Sequence, residues 1–327
     1  MTPKEMISSL ALVMGCMVPG AYVHAAAPAD LLPPQLDASQ AGFYRLKVGD
    51  VKVVALSDGT VPLDTKVLHG HRHRVDKLLK FSYVKSPLNA SVNAYLIVQS
   101  DRLVMVDAGT GELYGPTLDK LSDSIRAAGY DPEKITDILI THIHTDHTGG
   151  LMHGDLRVFP HALIHVSETE LNYWMSPENK LQAPANQKQY FDQAILKIGP
   201  YLAADQVRTF ASGEQPVPGI DSIPAPGHTP GHTFYAFESR GAKIVFWGDI
   251  LHVQEVQFDD PAVAIDFDVD PKLAEKQRRK AFADAAAKGY IVAPAHTAFP
   301  GIGHVRKDGQ GYRWIPYPFI NDAYPAK

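Results

Sequence analysis

The residues best suited to chemistry are concentrated in Thr141-His142-Ile143-His144-Thr145-Asp146-His147-Thr148-Gly149-Gly150. This run follows directly on ITDILIT (135–141), a short apolar segment with strand character. In an extended chain, residues two apart face the same side, so His142 and His144 project together. Asp146 and His147 come where the chain turns, and the two glycines permit a tight backbone there. One short loop thus offers three imidazoles and a carboxylate, more than one tetrahedral metal ion needs when ligands also arrive from elsewhere. Three further candidates stand at the ends of apolar runs: His228 in PAPGHTPGHT, Asp249 in IVFWGDI and His296 in IVAPAHTAFPG. Strand ends are where loops build sites on a rigid scaffold. Asp107, in VMVDAG, either ends a strand in a turn or orients a ligand histidine from behind, and the residues alone leave both readings open.

The elements that must position these groups are legible as alternating and periodic runs. RLKVGDVKVVALSDG reads as a hairpin around Gly49-Asp50, and NAYLIVQSDRLVMVDAG (93–109) as two strands around Ser100-Asp101. PTLDKLSDSIRAAGY is expected to be a helix with Leu118, Leu121, Ile125 and Ala128 on one face. LRVFPHALIHV reads as a strand pair or bent strand, and residues 168–203 as helical and rich in aromatics. IDSIPAPG, HTFYAFES and AKIVFWGDI return to strands, LAEKQRRKAFADAAAKGY is a helix, and YIVAPAH is a last buried strand. Strands and helices therefore come in two series, one before about residue 165 and one after about 215. The pattern predicts an α/β sandwich, two sheets face to face with helices outside.

Composition narrows the class. The chain has 327 residues, 45% of them hydrophobic and 20% charged, which suits a folded domain and excludes disorder as the main state. A formal net charge of −5 argues against nucleic acid as a partner. Cys16 is the lone cysteine, so no intrachain disulfide and no cysteine-based site can form. Lys4, the apolar run from Ile7 to Val23 and the small residues after it fit a secretory signal peptide, residues 1–25, cleaved near Ala25 to Ala27. Val13-Met14-Gly15-Cys16 also looks like a lipoprotein box with Cys16 acylated, the less favoured alternative. Pro19 and Gly20 interrupt the run, so no transmembrane span is expected. Residues 26–41 form a Pro- and Ala-rich leader and 42–327 a single domain, periplasmic or secreted.

The four-part pattern of His142 to His147, His228, Asp249 and His296 resembles the metallo-β-lactamase superfamily. The resemblance implies a four-layer αβ/βα sandwich and a dinuclear metal site. It puts His142, His144 and His228 on one divalent ion and Asp146, His147 and His296 on a second, with Asp249 bridging both. Zinc is the expected metal, with cobalt, manganese or iron also compatible with imidazole and carboxylate. His232 takes a supporting place and not a ligand's. VQFDDP, KAFADAAAKGY, FPGIGH, GQGYRW and YRLKVGDVKVVALSDGT further resemble the methyl parathion hydrolase group and its periplasmic relatives. That likeness runs from about Tyr44 to about Pro316. It implies a homodimer that hydrolyses small neutral apolar substrates, phosphotriesters, lactones and aryl esters, through a hydroxide bridging the ions. The alternatives are an acyl-homoserine lactonase and, from a different class, a mononuclear-iron sulfur dioxygenase.

Several residues are candidates for substrate contact. His252 stands three after Asp249, where related lactonases carry a tyrosine and methyl parathion hydrolases an aliphatic residue. It is either a proton donor to a leaving alkoxide or a structural histidine. Tyr114, Trp174, Tyr190, Phe191 and Phe267, with Tyr173, are expected to wall an apolar pocket, Tyr114 and Trp174 foremost. His69, His71 and His73 in HGHRHR read as a solvated loop with Arg72 and Arg74 rather than as an extra metal site. Asp259-Asp260 before Pro261 reads as a turn.

Overall fold

The computed structural model describes residues 40–211 and 213–320. The N-terminal segment, including the expected signal peptide, Cys16 and nearly all of the leader, lies outside the described residues.

The first sheet grows strand by strand in chain order: β1 (Phe43–Val48), β2 (Val51–Leu63), β3 (Leu88–Val98), β4 (Leu103–Val106), β5 (Asp137–Leu139), β6 (Leu163–Ser167) and β7 (Val207–Phe210). Alternation sets its edge: Tyr44, Leu46 and Val48 are buried and Arg45 and Lys47 exposed. The β1–β2 hairpin turns at Gly49-Asp50, with Gly49 at φ +59°. The first four strands are antiparallel, and β5, β6 and β7 are added in parallel. Around this sheet run α1 (Arg72–Phe81), α2 (Leu121–Ala127), α3 (Thr145–Thr148), α4 (Glu168–Trp174), α5 (Pro177–Gln182) and α6 (Lys188–Ala203).

The second sheet follows the same rule with β8 (Asp221–Pro224), β9 (Thr233–Ser239), β10 (Ala242–Gly248), β11 (Ile291–Pro294), β12 (Gly303–Asp308) and β13 (Gly311–Pro316). Only β10 and β11 are parallel, joined through α7 (Gln254–Gln257) and α8 (Pro271–Lys288).

Three apolar layers hold the sandwich. Val104 and Val106 face the second sheet, where Tyr235, Phe237, Ile244 and Phe246 meet them. Met105 between them points the other way, onto a layer with Ile125 of α2, Trp174 of α4 and Ile198 of α6. On the far face of the second sheet, Val245 and Trp247 pack on Phe282 and Ala285 of α8. The fold is therefore the expected αβ/βα sandwich. Phe282 is fully buried between Trp247 and Phe258, so truncating it to Ala is expected to cost about 3–5 kcal/mol.

Three elements differ from expectation. The helix expected over 116–130 begins only at Leu121, because Asp58 Oδ1 accepts from Lys120 N–H and Leu121 N–H at 3.0 Å each and caps the helix there. HGHRHR is not wholly a loop: His71 is the N-cap of α1, and Val75 and Leu79 tie that helix to the core. The segment is nonetheless exposed, and His69 pairs with Asp266. The C-terminal β12–β13 hairpin carries no clear alternation in its sequence. Among the described residues, no helix is long and apolar enough to cross a membrane.

Candidate metal centre

The loops that carry the candidate ligands leave both sheets at one end of the sandwich. The first leaves β5. Thr141 is anchored by Asp107, whose Oδ1 accepts from Thr141 N–H at 2.8 Å, and the chain then enters α3 with His144 as its N-cap. The second follows β8 and carries His228. Asp249 ends β10 and His296 follows β11.

Two groups of side chains converge there. In the first, His228 Nε2 lies 3.2 Å from His142 Nε2 and 3.0 Å from His144 Nδ1. His142 Nε2 and His144 Nδ1 are 3.2 Å apart, and Asp249 Oδ2 stands 3.6 Å from His142 and 3.4 Å from His228. In the second, Asp249 Oδ1 lies 3.1 Å from both His147 Nε2 and His296 Nε2, and Asp146 Oδ2 3.3 Å from His296. Within each group all ligand atoms lie within 4.8 Å of one another. Nitrogen and oxygen ligands about 2.0–2.1 Å from a tetrahedral zinc are roughly 3.3 Å apart, so these spacings fit an ion at each centre. Nε2 of His147 and Oδ1 of Asp249 are buried without a hydrogen-bond partner, a costly state unless a cation is bound.

Four of the five candidate ligand histidines, all but His144, have their outward ring atom held in a way that frees the inward one. His147 Nδ1 donates to Asp107 Oδ2 at 2.8 Å, His228 Nδ1 to Asp268 Oδ1 at 2.9 Å, and His296 Nδ1 to Ser91 O at 2.7 Å. His142 Nδ1 is 3.1 Å from Thr141 Oγ1. Such partners fix ring orientation and tautomer. The Asp107 carboxylate is thus turned onto His147 and Thr141, the orienting geometry, at a backbone φ of +61°. Burial holds His142 and His144 well below the ordinary histidine range, so both offer lone pairs. For Asp249, burial raises the pKa, but the surrounding histidines outweigh it and keep the carboxyl well below its usual range. His232 is pushed down to about 3 by burial, and its Nε2 accepts Asp249 N–H at 3.1 Å, fixing the strand end that carries the shared carboxylate.

A cavity of about 380 Å³ opens onto both groups. Its apolar wall is Val61, Pro62, Leu63, Ala90 and Phe267, with Tyr114, Tyr190, Gln189 and His252 beside the ligands. Among the described residues, no Lys or Arg lines it. Of the residues expected at a pocket, Tyr114, Tyr190, Phe267 and His252 line this cavity. Trp174 and Phe191 do not: both are fully buried behind the wall. The Trp174 ring backs His144 at 5.3 Å and Phe191 packs on Trp174 at 4.7 Å. In α4 and α6 these rings lie on the faces turned to the core, which an aromatic run cannot reveal.

Three charged residues beside the site had no sequence signal. Asp268 orients His228. Arg278, buried in α8, donates to Ile250 O at 2.7 Å and lies 3.6 Å from Asp268 Oδ2. Glu170 is buried beneath both ligand loops, and burial raises its pKa against the hydrogen bonds it accepts.

Residues 89–296 match the model of the metallo-beta-lactamase superfamily. The chain belongs to that superfamily. It is 35% identical to AbOPH, a hydrolase in the beta lactamase superfamily, with a TM-score of 0.83 over 87% of this chain and 100% of that one. The protein is accordingly a metallo-hydrolase. It is also 25% identical to the N-acyl homoserine lactonase AiiA of Bacillus thuringiensis subsp. kurstaki, over 59% of this chain and 76% of that protein. The fold is shared with AidC, a dizinc quorum-quenching lactonase, at a TM-score of 0.78 and 24% identity over 86% of this chain and 99% of that one.

Proposed function

We propose that the protein hydrolyses small, neutral, apolar esters, with phosphotriesters of the methyl parathion type, lactones and aryl esters as its substrate classes. The observation that carries this is the junction of two ligand groups, sharing Asp249, with an apolar cavity that no Lys or Arg lines. An anionic substrate would find no counter-charge on the wall, whereas a neutral ester buries its apolar groups there.

In this reading His142, His144 and His228 would hold one ion, Asp146, His147 and His296 the other, and Asp249 would be shared by both. Two divalent ions so held would supply an activated water and an electrophile for the carbonyl or phosphoryl oxygen. The protein's own part is positioning. Asp107, Asp268 and the Ser91 carbonyl keep the imidazoles aimed inward, and Phe267 and Val61 to Leu63 exclude water from the substrate's apolar end. His252 presents its ring to the cavity beside Asp249, where a proton on Nε2 can serve a leaving oxygen.

A second emphasis, acyl-homoserine lactone as the main substrate, is supported by the likeness to the lactonase AiiA and by the apolar wall of the 380 Å³ cavity. A single-iron sulfur dioxygenase is disfavoured by the second complete group around His147 and His296. We further infer export to the periplasm or medium, from the N-terminal run, and a homodimer, from the family likeness. The direct test is kcat/KM on a panel of aryl esters, γ- and δ-lactones, acyl-homoserine lactones and a dimethyl aryl phosphorothioate, using metal-loaded enzyme. Turnover of charged diesters in preference to all of these would contradict the proposal.

A further inference from the structure

We propose that Glu170 is a positioning residue that couples the two ligand-bearing loops and sets the geometry of the first ion site; this rests on the ligand assignment above. Glu170 sits in α4, fully buried, with a hydrogen bond on each side of each carboxylate oxygen. Oε1 accepts from Ile143 N–H at 2.8 Å and from Trp174 Nε1–H at 2.7 Å. Oε2 accepts from Thr229 Oγ1–H and from Gly231 N–H, both at 2.8 Å.

The sequence positions of these donors give the arrangement its meaning. Ile143 stands between His142 and His144, and Thr229 directly follows His228. One oxygen therefore holds the loop bearing two ligands of the first group, and the other holds the loop bearing the third. Those loops leave different sheets, so no local turn fixes their spacing. The 3.0–3.2 Å separations between His228 and the other two rings depend on links that span both loops: Thr233 N–H donates to Thr141 O at 2.9 Å farther from the rings, and Glu170 spans the loops beside them.

The local packing agrees. A Cβ on Gly231 would stand 2.3 Å from Glu170 N and 2.5 Å from Ser167 Oγ, so the second loop reaches α4 only because that residue is glycine. Ser167 Oγ–H donates to Gly231 O at 3.0 Å and seats the same loop from the other side. Trp174, held by Oε1, presses its ring on His144. All four partners donate, so a carboxylate suits the place and an amide would turn its NH₂ onto two of them. An apolar side chain could fill the volume but would leave four buried donors unpaired. The second group is oriented by other residues, Asp107 on His147 and the Ser91 carbonyl on His296.

The test is cobalt(II) titration of metal-free wild type, Glu170→Gln and Thr229→Val, followed by visible absorption and elemental analysis, with the Tm of each metal-free protein measured alongside. Wild type should bind two ions. Glu170→Gln should weaken one site about 10–100-fold and change its cobalt spectrum, while the other keeps its affinity. Thr229→Val, which removes one of the four bonds, should move the same site in the same direction by less, and it decides the matter should Glu170→Gln fail to fold. Equal weakening of both sites, or a lowered Tm with unchanged binding, would overturn the proposal and leave Glu170 a packing residue. Wild type that fails to bind two ions would instead overturn the ligand assignment itself.

Discussion

Nε2 of His252 lies 3.1 Å from Oδ2 of Asp249, and the His252 ring stacks on His296 at a centroid distance of 5.0 Å. The histidine that departs from the pattern of related enzymes is therefore part of the centre and borders the cavity. Burial holds its pKa below the ordinary histidine value, so its protonated form is a stronger acid than an ordinary imidazolium.

A proton on this ring suits a strongly basic leaving group, which takes it and leaves neutral imidazole. The alkoxide of an opened aliphatic lactone needs a proton as the bond breaks, whereas a nitrophenolate leaves without one. General acid assistance is worth about 10²–10⁴ in rate. His252→Ala is expected to lower kcat/KM for aliphatic lactones far more than for p-nitrophenyl esters or phosphotriesters, with metal content unchanged. Equal losses in both classes would mean that His252 only holds Asp249 in place.

Asp249 is the one side chain common to both ligand groups. Asp249→Ala should lose at least part of the metal and cost two or more orders of magnitude in turnover, about 3 kcal/mol or more in barrier. Asp259, exposed in the following turn, is the control, and Asp259→Ala should stay within about tenfold of wild type. Comparable losses at the two positions would show the ligand assignment to be wrong.

The cavity wall makes a second contrast. Tyr190 lines the cavity and Phe191, its neighbour, does not. Tyr190→Ala should change KM and the ranking of substrates, and should also lower Tm because the ring is buried against His144 and Trp174. Phe191→Ala should leave the ranking alone and destabilise the fold by about 3–5 kcal/mol, read as a lowered Tm. A changed substrate ranking in Phe191→Ala alone would place the wall elsewhere.

The clustered histidines and aspartates were legible because each stands at the end of an apolar strand, and four of the seven share one six-residue run. Asp107 was half legible: its strand-end position showed, but its turn towards His147 depends on a left-handed backbone that no neighbour signals. Glu170, Asp268 and Arg278 were silent because a lone charged residue in a helix or loop looks solvated until the fold buries it. The start of α2 depended on Asp58, which lies more than sixty residues earlier in the chain. Trp174 and Phe191 lie behind the cavity wall for a related reason. Their helices have a core face and a cavity face, and aromatic side chains suit both.

Export is tested by mass. Protein recovered from the periplasm or medium should begin near Ala26 to Pro28. A lipid-modified start at Cys16 would favour membrane anchoring, and an intact Met1 would contradict export by either route.

The measurement closest to the central claim is metal content set against activity in a single preparation. The enzyme as isolated or reconstituted should carry two divalent ions per chain. Chelation should abolish hydrolysis of its best substrate, and added zinc, cobalt or manganese should restore it in step with ions bound. Full activity in protein shown by elemental analysis to be metal-free would contradict the account.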